Sequence, residues 1–470
     1  MTDRELLSGT DNAWYRMDDR TNRTAITAVV TFEEPIAFET IEEICRERVL
    51  PFERFRQRVV ERPLWLRPRW EDDETFALEN HLHHLALTEP QDDERFQSFV
   101  GTLLARPIDL SKPPWEVFLL EGAGNGNALV VRVHHCMADG FALLFLVLWL
   151  ADDPGSIELP IGDLPAPPEH IDVAFDREAE RRSPTATVMG AGGGDDDSRL
   201  PSSLRSAWTL AKAGVGLAAS GLKLLTMRDE PATPLVGDLG VTKRAAWTEP
   251  IDLDRVKAIG RAHDATVNDV LLAATAGALR RHLQARSGAV DPDLRLRATA
   301  PVNVKPLEGR TEQLGNYFGL GYVSLPVGTV DVDERLAAIT ANTGSLRQGT
   351  EGVLVYAMLR LLGRLPAPLQ DLGLGIVRDK STAVVTNVPG PTEAFDVAGE
   401  TVADVMFWVP QSNGIGLGIS IFSYDGRVRV GVAADARLLD EPFELADAFE
   451  AEIDALAAAR PERAPSAAEQ

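Results

Sequence analysis

One segment constrains the fold of this chain more than any other. Residues 134–140, His-His-Cys-Met-Ala-Asp-Gly, lie between a short valine-rich run at 128–133 and an almost wholly apolar run at 141–150. This pattern predicts a buried strand, a tight polar turn and a buried helix. The turn holds two histidines in apolar surroundings, and histidine is the side chain whose ordinary pKa suits proton transfer near neutral pH. We therefore expect any chemistry of this chain to centre here.

The bulk properties indicate a globular protein with room for two or three domains. The chain has 470 residues, of which 44% are hydrophobic and 25% are charged. Its net charge of −24 disfavours nucleic acid as a partner, because phosphate binding needs a basic face.

Cysteine content and hydropathy predict where the protein resides. Two cysteines, Cys45 and Cys136, predict no disulfide framework and fit a reducing cytoplasm. The N-terminus shows no signal-peptide pattern, and no apolar run reaches the ~18–20 residues that a transmembrane helix needs. We expect a cytoplasmic protein, with a peripheral position on the inner face of the plasma membrane as the alternative.

Composition divides the chain into four parts. Residues 1–151 and 241–460 each mix strand and helix patterns, which predicts two α/β domains. Residues 152–240, rich in proline, glycine and charge, predict a partly disordered linker with an apolar helix at 203–227. That helix fits buried packing or, alternatively, contact in the plane of a membrane. Residues 461–470 predict a frayed tail.

The periodicity of apolar residues predicts the individual elements. In the first block we predict strands at 24–32, 118–120 and 129–133 and helices at 38–49 and 95–105, with a glycine-rich hairpin turn at 122–127. In the second block we predict helices at 254–263, 266–283, 331–348 and 441–458 and strands at 294–302, 319–325, 383–387, 417–424 and 427–433. Asp425-Gly426 joins the last two strands in a tight turn.

The catalytic motifs that the chain lacks narrow its chemistry. There is no Gly-x-Ser-x-Gly nucleophile elbow, no phosphate-binding loop and no zinc-protease histidine pair. A metal cluster could be formed from His81, His83, His84, His134 and His135, but these lack carboxylate or thiolate partners at a metal-binding spacing, so we expect no metal. We expect the segment 81–84 to form a surface turn. What remains is His135 as a proton acceptor, with Asp139 binding the turn backbone or an arginine. A purely structural histidine pair is the alternative.

The turn resembles the His-His-x-x-x-Asp-Gly signature of the CoA-dependent acyltransferase superfamily, which includes chloramphenicol acetyltransferase, carnitine acyltransferases and peptide-synthetase condensation domains. Other segments, in order along nearly the whole chain, make it similar to the bacterial wax ester synthase/diacylglycerol acyltransferase family. These are Leu7-Ser-Gly-Thr-Asp11, Pro113-Pro-Trp115, Val267-Asn-Asp-Val270, Pro301-Val-Asn-Val-Lys305, Leu314-Gly-Asn316, Thr386-Asn-Val-Pro-Gly-Pro391 and Ser423-Tyr-Asp-Gly426.

The resemblance implies a fold and a reaction. It implies two chloramphenicol-acetyltransferase-like α/β domains, each a mixed sheet flanked by helices, with a tunnel between them. The reaction it implies is O-acyl transfer from a long-chain acyl-CoA to a fatty alcohol, giving a wax ester, or to diacylglycerol, giving triacylglycerol. Acyl-CoA would be the co-substrate, and we expect no cofactor and no metal. Contact with a membrane or lipid droplet would follow from such substrates.

The resemblance also assigns roles to residues. His135 would be the general base for direct attack without an acyl-enzyme, His134 would be mainly structural, and Asp139 would brace the turn. Asn268 would stabilise the oxyanion or orient the histidine, with a helix N-cap role for Asn268 or Asp269 as the alternative. Gly140 would permit close packing where the turn enters the helix.

Two other functions stay open at this point. One is a condensation-type acyltransferase with another acceptor, and the other is a non-catalytic lipid-binding or scaffold protein. An apolar helix pattern at 354–365 fits either core packing or an acyl tunnel, so the sequence leaves the acceptor and the substrate-binding residues unassigned.

Overall fold

The computed structural model describes residues 5–63, 65–160, 227–303, 316, 318–348, 351–377 and 380–459. The predicted helix at 203–227 and the predicted tail at 461–470 lie essentially or wholly outside these residues. The helices are α1 (Gly9–Met17), α2 (Phe38–Ile44), α3 (Asp93–Ala105), α4 (Gly140–Trp149), α5 (Leu253–Ala262), α6 (Val267–Ser287), α7 (Val332–Gln348), α8 (Glu351–Leu362), α9 (Ala367–Val377) and α10 (Pro442–Ala458).

The strands of the first half of the chain are β1 (Ala25–Phe32), β2 (Gln57–Val60), β3 (Arg69–Asp72), β4 (Leu82–Ala86), β5 (Trp115–Glu121) and β6 (Asn127–His134). Those of the second half are β7 (Lys243–Trp247), β8 (Ile251–Asp252), β9 (Leu296–Asn303), β10 (Phe318–Leu325), β11 (Ala383–Pro389), β12 (Asp396–Val397), β13 (Glu400–Trp408), β14 (Leu417–Tyr424) and β15 (Arg427–Asp435).

These strands form two large mixed sheets, as the predicted fold class requires. The first has the order β12-β13-β1-β6-β5-β4, and the second has the order β10-β9-β11-β14-β15-β7 with β8 added beside β15. The parallel pairs are β4 with β5 in the first sheet and β11 with β9 and β14 in the second. A separate two-stranded sheet pairs β2 with β3. The prediction of two sheet-containing α/β units is confirmed.

The first sheet is not built from the first half of the chain alone. Strand β13, from the second half, pairs antiparallel with β1, so that Trp408 lies opposite Thr27. This pairing joins residues separated by most of the chain, and no local pattern announces it. The domain boundaries at residues 151 and 241 therefore stay a prediction. The first sheet contains strands from both sides of these boundaries.

Helix α3 packs between the two halves. Phe96 and Val100 share an apolar cluster with residues of both sheets, including Ala433 of β15. Gly101 lies against the backbone of β7, where an added Cβ would come within 3.0 Å of the Lys243 carbonyl oxygen. Glycine is required at this point because helix and strand approach so closely.

Most predicted elements are present with small shifts, and both predicted hairpins form. Asp425 and Gly426 have positive φ angles of 47° and 69°, as the tight turn between β14 and β15 requires. The predicted turn at His81–His84 is wrong, because residues 82–86 form the edge strand β4 and His81 is buried. An edge strand tolerates polar side chains that a central strand would not. The histidines of this strand therefore resemble the polar pattern of a surface turn.

Candidate active site

The segment 134–140, here named the histidine turn, connects β6 to α4 as predicted. His134 is the last residue of β6, where it pairs with Ala25, and the His135 amide donates to the Thr24 carbonyl at 2.8 Å. Asp139 is the N-cap of α4, and its carboxylate accepts from the Ala142 amide at 2.9 Å. The turn is therefore bound to β1 at one end and capped at the other.

His134 has a fixed tautomer and a bridging position. Its Nδ1 accepts from the Cys136 amide at 3.1 Å, so the ring proton lies on Nε2. Nε2 then donates to Thr24 Oγ1 at 3.0 Å, and the Thr24 hydroxyl donates to the Trp14 carbonyl at 3.4 Å. Both ring nitrogens of His134 are thereby occupied, which leaves it little capacity for proton transfer.

His135 is held in an aromatic environment. Its imidazole stacks face to face on the Trp14 indole, with ring centroids 3.9 Å apart and an interplanar angle of 4°. Phe318 lies 5.5 Å away at an interplanar angle of 37°. His135 Nδ1 is buried and has no partner in regular hydrogen-bond geometry among the described residues. Unlike His134, this ring keeps hydrogen-bonding capacity unused.

Burial keeps both imidazoles neutral. It lowers the pKa of His134 to about 3, assisted by the nearby His135, and it lowers the pKa of His135 to about 4. The His135 backbone, the Asp139 charge and a hydrogen bond with the Asn316 side chain favour the protonated form of His135, but burial outweighs them. A neutral imidazole is the form that accepts a proton.

Asn316 joins the two halves of the chain at this turn. Its Nδ2 donates to the His135 carbonyl at 2.7 Å and to Asp11 Oδ1 at 2.8 Å. Burial raises the pKa of Asp11, and the hydrogen bond from Asn316 opposes that rise. A side chain from the second half thus fixes the backbone of the histidine turn relative to α1.

Asn268 is the second residue of α6. Thr266 is the N-cap of that helix and forms a capping box with Asp269, so the N-cap alternative was wrong for Asn268 and for Asp269. Asn268 Oδ1 accepts from Asn387 Nδ2 at 3.0 Å. No hydrogen bond among the described residues joins Asn268 to His135, so its predicted role stays a prediction.

Two further residues of the turn differ in what they can do. Burial, together with the Asp11 charge, raises the pKa of the Cys136 thiol, which keeps it protonated and unsuited to act as a nucleophile. An added Cβ on Gly140 would meet no described atom within 4 Å. The described residues therefore give no support to the expectation that Gly140 permits close packing where the turn enters the helix.

The contact between Trp14 and His135 was not predicted from the sequence. The motif Leu7-Ser-Gly-Thr-Asp11 runs into α1, and Trp14 follows Asp11 by three residues, the spacing that places two side chains on one helical face. That spacing was the available signal. Asn316 belonged to a motif already identified, but its contact with His135 depends on tertiary structure.

Two features of the structure bear on metal binding and on membrane insertion. Within the described ranges no three His, Cys, Asp or Glu side chains lie together as a metal site would require. No helix of the described part combines the length and apolar character needed to cross a membrane.

Two mixed sheets that meet at a buried His-His-x-x-x-Asp-Gly turn define a chloramphenicol-acetyltransferase-like fold. Solved structures support this class. A wax ester synthase/diacylglycerol acyltransferase from Marinobacter aquaeolei matches with a TM-score of 0.66 and 22% identity, covering 96% of this chain and 98% of that one. The first condensation domain of the calcium-dependent antibiotic synthetase matches with a TM-score of 0.59 and 15% identity, covering 97% and 96%.

Sequence comparison identifies the family. The wax ester synthase/diacylglycerol acyltransferase catalytic domain matches residues 7–271, and the C-terminal domain of the same family matches residues 314–457. A probable diacylglycerol O-acyltransferase of Mycobacterium tuberculosis is 27% identical over 441 residues, covering 92% of this chain and 91% of that protein. The chain belongs to the wax ester synthase/diacylglycerol acyltransferase family, and it is an acyltransferase.

Proposed function

We propose that this acyltransferase moves a long-chain acyl group from acyl-CoA to the hydroxyl of a fatty alcohol or of diacylglycerol, with His135 as general base. The observation that carries the proposal is the state of the His135 ring. It is buried and unprotonated, and its Nδ1 has no regular hydrogen-bond partner among the described residues. The other histidine, His134, has both ring nitrogens occupied.

The proposed reaction needs one base and forms no covalent enzyme intermediate. A lone pair of the neutral His135 imidazole accepts the hydroxyl proton while the alcohol oxygen attacks the thioester carbonyl carbon. The tetrahedral oxyanion then collapses and the carbon–sulfur bond breaks. The imidazolium returns its proton to the thiolate sulfur, which gives the ester and free CoA. The protonated thiol of Cys136 supports direct transfer, because it offers no nucleophile beside the base.

Neighbouring residues have supporting roles in this proposal. Asp139 braces the turn by capping α4, and His134 holds Thr24. Asn387 donates to Asn268 Oδ1, so the Asn268 amide hydrogens remain available to stabilise the oxyanion.

The junction of the two halves fits the tunnel that the family resemblance implies. Asn316 and Phe318, both from the second half, contact His135 of the first half. A base at this junction can be reached by acyl-CoA from one side and by the acceptor from the other. In this proposal acyl-CoA is a co-substrate, no further cofactor takes part, and the protein contacts a membrane or lipid droplet where its apolar acceptor resides.

The acceptor is decided by an assay with labelled palmitoyl-CoA and hexadecanol, dioleoylglycerol or no acceptor. The proposal predicts labelled wax ester, labelled triacylglycerol or both, and free CoA released in equal amount. A second set of acceptors, a short polar alcohol and an amine, tests a condensation-type reaction. If no acceptor yields product, the lipid-forming function is wrong and a non-catalytic lipid-binding role is favoured.

A further inference from the structure

We propose that Trp14 is a positioning residue for the reaction, because its indole fixes the plane of the His135 imidazole. This inference rests on the proposed function, since it concerns the residue proposed there as base. The indole and imidazole planes are parallel within 4° at a centroid distance of 3.9 Å, which is direct van der Waals contact over one whole face of the imidazole.

The stacking matters because the His135 Nδ1 has no hydrogen bond of regular geometry among the described residues, only the less regular contacts with its own backbone and with the Asn316 side chain. His134 has one partner on each ring nitrogen, whereas His135 Nδ1 has no regular partner in the described part of the chain. Bases in enzymes are usually oriented by a third group that binds the second nitrogen. Here a flat aromatic face adds to those contacts, and Phe318 lies on the ring at a centroid distance of 5.5 Å.

Trp14 is in turn fixed by the neighbouring histidine. His134 Nε2 donates to Thr24 Oγ1, and the Thr24 hydroxyl donates to the backbone carbonyl of Trp14. The amide of His135 donates to the Thr24 carbonyl at 2.8 Å. Hydrogen bonds thus connect His134 to Thr24 and Thr24 to Trp14, and ring stacking connects Trp14 to His135. In this arrangement His134 holds Thr24, which in turn holds the backbone of Trp14.

The shape of the Trp14 indole suits it to stacking on His135. The Trp14 Nε1–H is buried and has no acceptor among the described residues, which carries a desolvation cost. Phenylalanine would fill apolar space at this position without that cost. The distinguishing property of the indole is its broad flat face, and that face is what contacts His135.

Substitutions that separate the flat shape of the Trp14 side chain from its apolar volume test this role. Trp14→Phe keeps a flat ring, whereas Trp14→Leu keeps apolar bulk without one. Trp408→Leu is the matched control, because Trp408 is also buried and its Nε1–H has no acceptor among the described residues. Its ring lies tilted by 58° against Trp247 and does not stack on a histidine. Trp14→Met serves the same purpose as Trp14→Leu if the leucine variant does not fold.

We expect Trp14→Leu to lower kcat by about 10- to 100-fold while KM for acyl-CoA and for the acceptor changes less than about twofold, because a misplaced base slows only the chemical step. Trp14→Phe should stay within about threefold of wild type. The acid limb of kcat/KM should also move to higher pH in Trp14→Leu, since water entering beside the ring relieves the burial that lowers the pKa of His135.

The inference is overturned if Trp14→Leu keeps the kcat of the Trp408→Leu control, or if both leucine variants lose kcat equally in proportion to lost stability. His135→Ala, assayed alongside, separates the two levels of the argument. If His135→Ala retains wild-type activity, the proposed base is wrong. If His135→Ala is inactive while Trp14→Leu is fully active, only the positioning role is wrong.

Discussion

The side-chain amide of Asn316 donates a 2.7 Å hydrogen bond to the main-chain carbonyl of His135, across 181 positions of sequence. The same Nδ2 donates to Asp11 at 2.8 Å, so both of its hydrogens are used. One side chain therefore binds the second half of the chain to both α1 and the histidine turn. The position of the proposed base depends on both halves of the molecule.

Removal of this amide should affect stability and activity together. Asn316→Ala leaves a buried carbonyl and a buried carboxyl group without their shared donor, so we expect a loss of about 1–3 kcal/mol in the free energy of unfolding. We also expect kcat to fall about tenfold or more, because the turn that carries His135 loses its tether. Urea unfolding and steady-state kinetics on the same preparations measure the two effects.

The matched control is Asp11→Asn, in which the new side-chain oxygen can still accept from Asn316. It should cost less stability and less activity than Asn316→Ala. Equal losses in the two variants would show that the charge of Asp11, rather than the amide of Asn316, holds the turn.

The pH dependence of kcat/KM reports the protonation of the base in the free enzyme. Burial lowers the pKa of His135 to about 4, and only the neutral ring accepts a proton. Activity should therefore remain level as the pH falls through 6.5 and decline only near pH 4. Initial rates corrected for the folded fraction test this expectation, and an acid limb centred near pH 6.5 would contradict the burial of the ring.

Stability should depend on pH through the same two histidines. The folded-state pKa values of His134 and His135 lie below the ordinary value of 6.5, so the unfolded chain binds more protons between pH 6.5 and about 4. The free energy of unfolding should fall as the pH decreases through that window, by about 1–2 kcal/mol per histidine from pH 7 to pH 5. Well above pH 6.5 both rings are neutral in the folded and the unfolded chain, so these groups contribute no pH dependence there.

Urea unfolding of wild type and His135→Gln at both pH values isolates the contribution of His135. Other titrating groups are common to the two proteins, so the variant should lose less stability on acidification. Identical losses would mean that His135 is hydrated and not buried in the folded state.

The cap at Asp139 is expected to act through α4. Asp139→Ala removes the acceptor for the Ala142 amide and should cost about 1 kcal/mol, with a fall in kcat as the turn loosens. Asp139→Asn keeps a capping oxygen and should preserve stability. The Asp139 charge raises the pKa of His135 slightly, so the acid limb of Asp139→Asn should lie at lower pH. An acid limb that moves to higher pH in Asp139→Asn would contradict this electrostatic contribution.

The histidine turn was predictable because its signals are local. A valine-rich strand, a polar turn and an apolar helix follow one another in sequence, and the cap at Asp139 lies within that turn. The turn at Asp425-Gly426 was predictable for the same reason. Such features need no knowledge of distant partners.

The missed features are those that depend on long-range contacts. The pairing of β13 with β1 and the contact of Asn316 with His135 each join residues far apart in the chain. The stacking of Trp14 on His135 requires α1 to pack across the end of β6, and a helix pattern alone does not specify the partner of its buried face. The sequence therefore predicted His135 as the base but not the residues that contact it.

The most direct test of the central claim is the rate of ester formation from labelled palmitoyl-CoA by His135→Ala, compared with wild type at equal folded concentration. Thermal unfolding of the variant confirms that it is folded. Because the alcohol would lose its proposed proton acceptor, the account predicts a decrease in kcat of about 10²–10⁴-fold with little change in acyl-CoA affinity. A folded His135→Ala variant that forms ester at the wild-type rate would contradict the account.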